Sequence, residues 1–317
     1  MFKKLMASLG VGAARVNLVL DYEQCRIGEQ LTGKVMVEGG SVDQAVHTLD
    51  VDIIMKFTFK GKEVSRRVDT IQVARDFCIK ARESRAIPFG HTIPFNYPVT
   101  KGSVSYSLVT RMDIAQAVDA EDADKLVVLP SREMSLVLNS LEAMGFKDKV
   151  GSGKIDKLGQ QFAFYPSTLF SEQLQELQLY FYVENNGLKI YWQFKLSGGY
   201  MRSGLEHYAE LTLPAELLAG SLQQEMVDHL KKFLEHELHR ISVQGPRIAP
   251  SYQNVPQHLL GAGRSGFMGG LLAGMLGGAL LGNLLDDEEA EAMGEAEAAD
   301  GFAFDLDGFL DFGDDEF

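Results

Sequence analysis

Apolar and polar side chains alternate in short runs along residues 15–130 of this 317-residue chain. Val16, Leu18 and Leu20 open the pattern. It resumes after the turn at Gly28 with Leu31, Gly33, Val35 and Val37, and stops at Gly39-Gly40. Leu49, Val51, Ile53, Met55 and Phe57 then repeat at period two, the spacing that sends one face of a strand inward. Ile87/Phe89 and Ile93/Phe95 flank a loop, where Pro88, Pro94 and Pro98 restrict strands to edges or short pieces. Val104, Tyr106 and Leu108 continue the alternation. Many short strands parted by turn residues predict a β-sandwich.

A second block follows Pro130. Met134, Leu136 and Leu138 alternate and predict its first strand, and residues 161–165 supply another. The strongest hairpin signal comes next: strands at 177–183 and 188–194 flank Asn185-Asn186-Gly187, and Asn-Gly suits a turn that needs positive φ. Trp192, the single tryptophan, belongs to this hairpin and reads as core. Residues 221–241 change to helical periodicity, with Leu222, Met226, Leu230, Phe233 and Leu234 on one face.

Beyond residue 245 the pattern changes character. A proline-bearing linker, 246–265, leads to a stretch at 266–285 with no charged side chain. A glycine stands there at every fourth place: Gly266, Gly270, Gly274, Gly278 and Gly282. The tail, 286–317, holds Asp and Glu but no Lys or Arg. The net charge of -14 at pH 7 lies wholly in that tail, because acids and bases balance over residues 1–285. A neutral body with an acidic tail argues against nucleic acid, which needs a basic face. A hydrophobic fraction of 45% is enough for two packed domains. Cys25 and Cys78 have neither metal-type spacing nor the number for a disulfide framework, which points to a reducing cytosol. Residues 1–10 read as a short amphipathic lead-in and not as a secretory signal.

Several stretches carry a family resemblance. They are Phe2-Lys3-Lys4 with residues 10–16, and residues 27–37 running into Gly39-Gly40. Ile87-Pro-Phe89, Ile93-Pro-Phe95, residues 112–119 and residues 126–130 follow in matching order and spacing. Together they resemble the bacterial sporulation-control protein M family of the arrestin-like superfamily. The likeness is strong over 1–130 and continues over 131–245, at residues 141–146 and 160–164. The resemblance implies an all-β chain of two tandem arrestin-like, immunoglobulin-like β-sandwiches, 1–130 and 131–245, the second ending in the 221–241 helix. It also implies a regulatory or scaffolding role, with no catalysis. The glycine-rich segment and the acidic tail are additions to that pattern.

The candidate sites are therefore contact surfaces. As a helix, 266–285 is long enough to span a bilayer, with its glycines lining one stripe for close helix contact. The alternatives are self-association or docking in solution, and a linker. In the tail, residues 286–300 read as a solvated, disordered spacer. Phe302, Phe304, Phe309, Phe312 and Phe317 are interleaved with acids, as in a segment that folds onto a protein partner, against the alternative of a solubilising tail. Lys56, Lys60, Lys62, Arg66 and Arg67 cluster in a predicted hairpin where that tail has a charge match, against the alternative of a solvated basic loop. His229, His236 and His239 lie at near-helical spacing but lack a completing ligand, so they read as boundary residues and no metal is expected. Gly151-Ser-Gly-Lys154 only partly matches a phosphate-binding loop and reads as a mobile turn. No cofactor, small-molecule substrate or enzyme activity is expected. The predicted function is a cytoplasmic regulator or adaptor at the inner membrane surface, with an oligomeric membrane-associated protein as the alternative.

Overall fold

The computed structural model describes residues 13–115, 120–156, 158–184, 187–197 and 206–247. The 1–10 lead-in, the linker beyond residue 247, the glycine segment 266–285 and the tail 286–317 lie outside them.

The first lobe is a sandwich of two sheets. β1 (Arg15–Leu20), β3 (Gln30–Glu38) and β6 (Ser84–Thr92) form a three-stranded antiparallel sheet in that order. The facing sheet has the order β2-β8-β7-β4-β5, built from β2 (Gln24–Arg26), β4 (Gln44–Phe59), β5 (Lys62–Ile79), β7 (Ser105–Ile114) and β8 (Ala120–Leu129). The period-two residues meet between the sheets. Leu18, Leu31, Val35 and Val37 come from one side, and Leu49, Val51, Ile53, Met55 and Phe57 from the other, all buried. Pro88 lies on β6, an edge strand as its proline predicts, opposite Lys34 of β3.

The second lobe begins differently from the sequence expectation. Residues 132–143 are not a strand but a helix, α1 (Arg132–Ala143). Ser131 caps it, its Oγ accepting from the Met134 N–H at 3.2 Å, and Glu133 sits in the first turn where the helix dipole favours an acid. Met134, Val137 and Leu141 form the buried stripe, so the alternation of Met134, Leu136 and Leu138 was coincidental.

The lobe is centred on a five-stranded antiparallel sheet of order β15-β14-β13-β12-β9. Its strands are β9 (Phe146–Asp148), β12 (Phe162–Pro166), β13 (Leu174–Glu184), β14 (Gly187–Leu196) and β15 (Glu206–Pro214). The β13–β14 register pairs Glu184 with Gly187, so the connecting pair is Asn185-Asn186, two residues outside the described ones. Two further helices follow, α2 (Ala215–Gly220) and α3 (Gln223–Gln244). Met226, Leu230 and Leu234 of α3 are buried, and Phe233 lies 5.2 Å from fully buried Trp192. Leu222 was expected on that face, but it stands at the helix N-cap and is 72% exposed, its N–H bonded to Glu225 at 3.0 Å. The other face of the sheet carries the two-stranded ribbon of β10 (Ile155–Asp156) and β11 (Gly159–Gln160), with Leu158 packed on Tyr180 and Tyr191. The sandwich's second layer is thus reduced to a ribbon, and helices take the opposite face.

Candidate functional site

The two lobes are joined by side chains that imitate backbone. Gln160 of β11 accepts from the Val99 N–H through Oε1 at 2.7 Å and donates to the Val99 carbonyl through Nε2 at 2.8 Å. An amide making both bonds to one residue behaves like a neighbouring strand and fixes orientation as well as distance. Lys101 reaches Asp148 at 2.7 Å, and Arg26 donates to the Pro130 carbonyl at 2.7 Å and to Ser135 at 2.9 Å. Close backbone approach at this junction explains two glycines. A Cβ on Gly102 (φ +63) would meet the Ser152 carbonyl at 2.7 Å, and one on Gly153 (φ +95) would meet the Lys101 carbonyl at 2.7 Å. The 151–154 turn, expected to be mobile, is packed: Ser152 is buried and its Oγ accepts from the Ala163 N–H at 3.0 Å.

A polar layer holds that turn on the second sheet. Gln161 donates to Gln178 and to the Tyr180 hydroxyl, both at 2.7 Å, and Tyr180 donates to Asp156 at 2.7 Å. Burial pushes the Asp156 carboxyl above its ordinary value, while the Tyr180 hydroxyl pulls the other way. Glu176, also buried, is bonded by Lys149 and lies 3.4 Å from Lys195. Burial opposes its ionisation, but the bonds from Lys149 and Gln178 prevail and hold its carboxyl below the usual value.

On the helix-covered face, fully buried His207 bridges β15, α3 and the chain that leaves α3. Its Nδ1 accepts from the Arg247 N–H at 2.8 Å, which leaves Nε2 to donate to Glu237 at 2.9 Å. Arg240 caps the same carboxylate at 2.7 Å. Burial, together with the nearby Arg240 charge, moves the His207 pKa below its ordinary value. No local pattern marks this histidine, whose partners lie 30 and 40 residues away in the chain.

The family model described as SpoOM protein matches residues 2–196. The chain belongs to this family. It is 30% identical over 219 residues to the sporulation-control protein spo0M of Bacillus subtilis (strain 168), covering 65% of this chain and 84% of that protein. The crystal structure of Spo0M, sporulation control protein, from Bacillus subtilis superposes with a TM-score of 0.57 at 25% identity. That match covers 71% of this chain and 99% of the other. The family match contains the whole lobe junction and ends at residue 196, before His207 and its partners.

The predicted site residues are distributed as follows. The β4–β5 hairpin exists, turning at Lys60-Gly61, but its basic residues divide between two faces. Arg66 pairs with Met55 and Lys62 with Phe59 on one face, whereas Lys56 pairs with Ser65 and Arg67 with Ile54 on the other. Arg67 is also engaged, 3.3 Å from buried Asp52, which Arg111 reaches at 2.7 Å and Thr70 at 2.6 Å. The five therefore do not form one basic face, and Lys60 and Lys62 mark the exposed tip. His229, His236 and His239 are exposed on α3. Among the described residues no helix is long and apolar enough to cross a membrane. Gly266, Gly270, Gly274, Gly278 and Gly282 lie outside the described residues, as do Phe302, Phe304, Phe309, Phe312 and Phe317.

Proposed function

We propose that this sporulation-control family member is a non-enzymatic scaffold that works by protein–protein contact and is held at the inner membrane face. The observation that carries the reading is the exposed edge of β5. Among the described residues, this 18-residue strand has a hydrogen-bonded strand neighbour on one side only, β4. An edge of that length offers unpaired backbone groups to a partner strand. Asp76, at φ 47, is skipped in the β4–β5 pairing, and the register shifts lie between Leu49 and Asp50 and between Ile53 and Ile54. The bonds at the lobe junction support the reading, since a platform must keep its surfaces at a fixed angle. The aromatic–acidic residues of 302–317 supply a second contact.

Affinity capture with the full chain and with a chain lacking 286–317, followed by hydrogen exchange on the captured complex, tests both contacts. Slowed exchange within 62–79 is expected for strand addition. Protection confined to other segments would refute it. A second reading, an oligomer assembled through 266–285, draws on the four-residue glycine spacing of that segment. Light scattering of the full chain against one ending at residue 263 separates it, because equal masses exclude assembly through that segment.

A further inference from the structure

We propose that one end of the body, made by the β4–β5 tip and the 147–154 loop, docks on an anionic bilayer surface. The inference takes up the membrane part of the proposed function and places it on residues of the folded body. Two bonds and one close backbone approach tie the end together. The Thr58 N–H donates to Ser103 at 3.1 Å, Gly102 abuts Ser152 and Gly153, and Lys101 holds Asp148. At the surface of this end Val150 is 100% exposed, the most exposed of the large apolar side chains described. Lys147 and Lys154 flank it in sequence, and Lys60 and Lys62 project from the hairpin tip, all four exposed. Of the acids among these loops, Asp148 is engaged by Lys101, so Glu63 is left to oppose several lysines.

The chemistry fits a lipid surface better than a peptide. These residues project as turns and line neither the groove beneath α3 nor the one beside β2. An exposed apolar side chain on an end that carries several exposed ammonium groups matches the order of a bilayer interface, with acyl chains below and anionic headgroups around. An acidic protein would satisfy the lysines but gives no reason for Val150 to stand fully in water.

Flotation of the full chain tests the proposal with vesicles of phosphatidylcholine alone and of phosphatidylcholine mixed with phosphatidylglycerol. Binding to the mixed vesicles is expected, weakening with salt. Each lysine neutralised among Lys60, Lys62, Lys147 and Lys154 should weaken it about fivefold. Val150→Asp should weaken it about tenfold, and because that side chain is fully exposed the variant should melt like the parent. Binding to both vesicle types that ignores all these substitutions would overturn the docking surface and assign membrane contact to 266–285. No vesicle binding at all would overturn both this surface and the membrane part of the proposed function. Binding to soluble polyglutamate that competes with vesicles and is unchanged by Val150→Asp would assign the lysines to an acidic protein and also overturn it.

Discussion

The two lobes each bury a β-sheet, but with different materials. In the first, the inward residues of β4 meet Leu31, Val35 and Val37 across an apolar core. In the second, the same sheet has an apolar face under helices and a hydrogen-bonded face under a ribbon. Adjacent residues of β14 show the division: Trp192 packs toward Phe233 of α3, while Tyr191 packs toward Leu158. Apolar contact is non-directional and holds surfaces together without fixing a rotation. Hydrogen bonds such as Gln161 to Gln178 and Tyr180 to Asp156 do fix one. The polar face of the second lobe therefore positions the 149–161 segment, and that segment grips the first lobe through Gln160.

The comparison breaks most severely at the helix-covered face. Trp192→Ala should cost about 3–5 kcal/mol, because a large cavity would open between β14 and α3. Calorimetry checks it. If the lobes are separable in stability, the second should melt in its own earlier transition. Gln160→Ala acts on the junction and should cost about 1–3 kcal/mol by leaving the buried Val99 N–H and carbonyl unpaired. Its distinguishing sign is a larger radius of gyration in small-angle scattering, with each lobe's circular dichroism unchanged.

Acid sharpens the contrast further. His207 binds protons less readily in the folded chain than at its ordinary value of 6.5. Its contribution to stability is complete above that value and is lost as pH falls toward the lowered folded value. Melting scans between pH 7.5 and 5 should show a falling limb that His207→Gln, which does not titrate, flattens. An unchanged limb in the variant would remove His207 as its source.

Much of this arrangement is legible in the sequence, for a definite reason. The five β4 residues from Leu49 to Phe57 and the α3 stripe are local periodic patterns, and local patterns survive folding. Helix α1 mimics a strand in the sequence because three alternating apolar residues satisfy a strand as well as part of a helical stripe. The deciding cue was local too, Ser131 followed by Glu133, but it is a cap and not a period. The junction and the His207 bridge were invisible because the members of each lie far apart in the chain. Gln160 and Val99 are 61 residues apart, and nothing near either one marks the pairing.

The smallest effect is the most specific, and it returns to the apolar lobe. Asp124 of β8 pairs with Leu108, whose side chain faces the core, so the carboxyl points toward the interior edge. Burial, with Asp122 and Glu23 as like-charged neighbours, raises its pKa from 3.8 to about 6. Asp122 is itself committed, its Oδ2 accepting from the Leu18 N–H of β1 at 2.9 Å. The folded state therefore holds the Asp124 proton more tightly than the unfolded state does. Its favourable contribution is present below pH 3.8 and is lost as pH rises through about 6. Asp124→Asn removes the charge and keeps the shape, so it should raise the melting temperature by a degree or so, on the order of 0.5 kcal/mol, at neutral pH. The gain should shrink as pH falls through 6 and vanish well below 3.8, where the parent carboxyl is protonated in both states. A gain that persists undiminished in acid would mean that the amide makes a new hydrogen bond, and that charge repulsion at the β1–β8 edge is not what limits the first lobe.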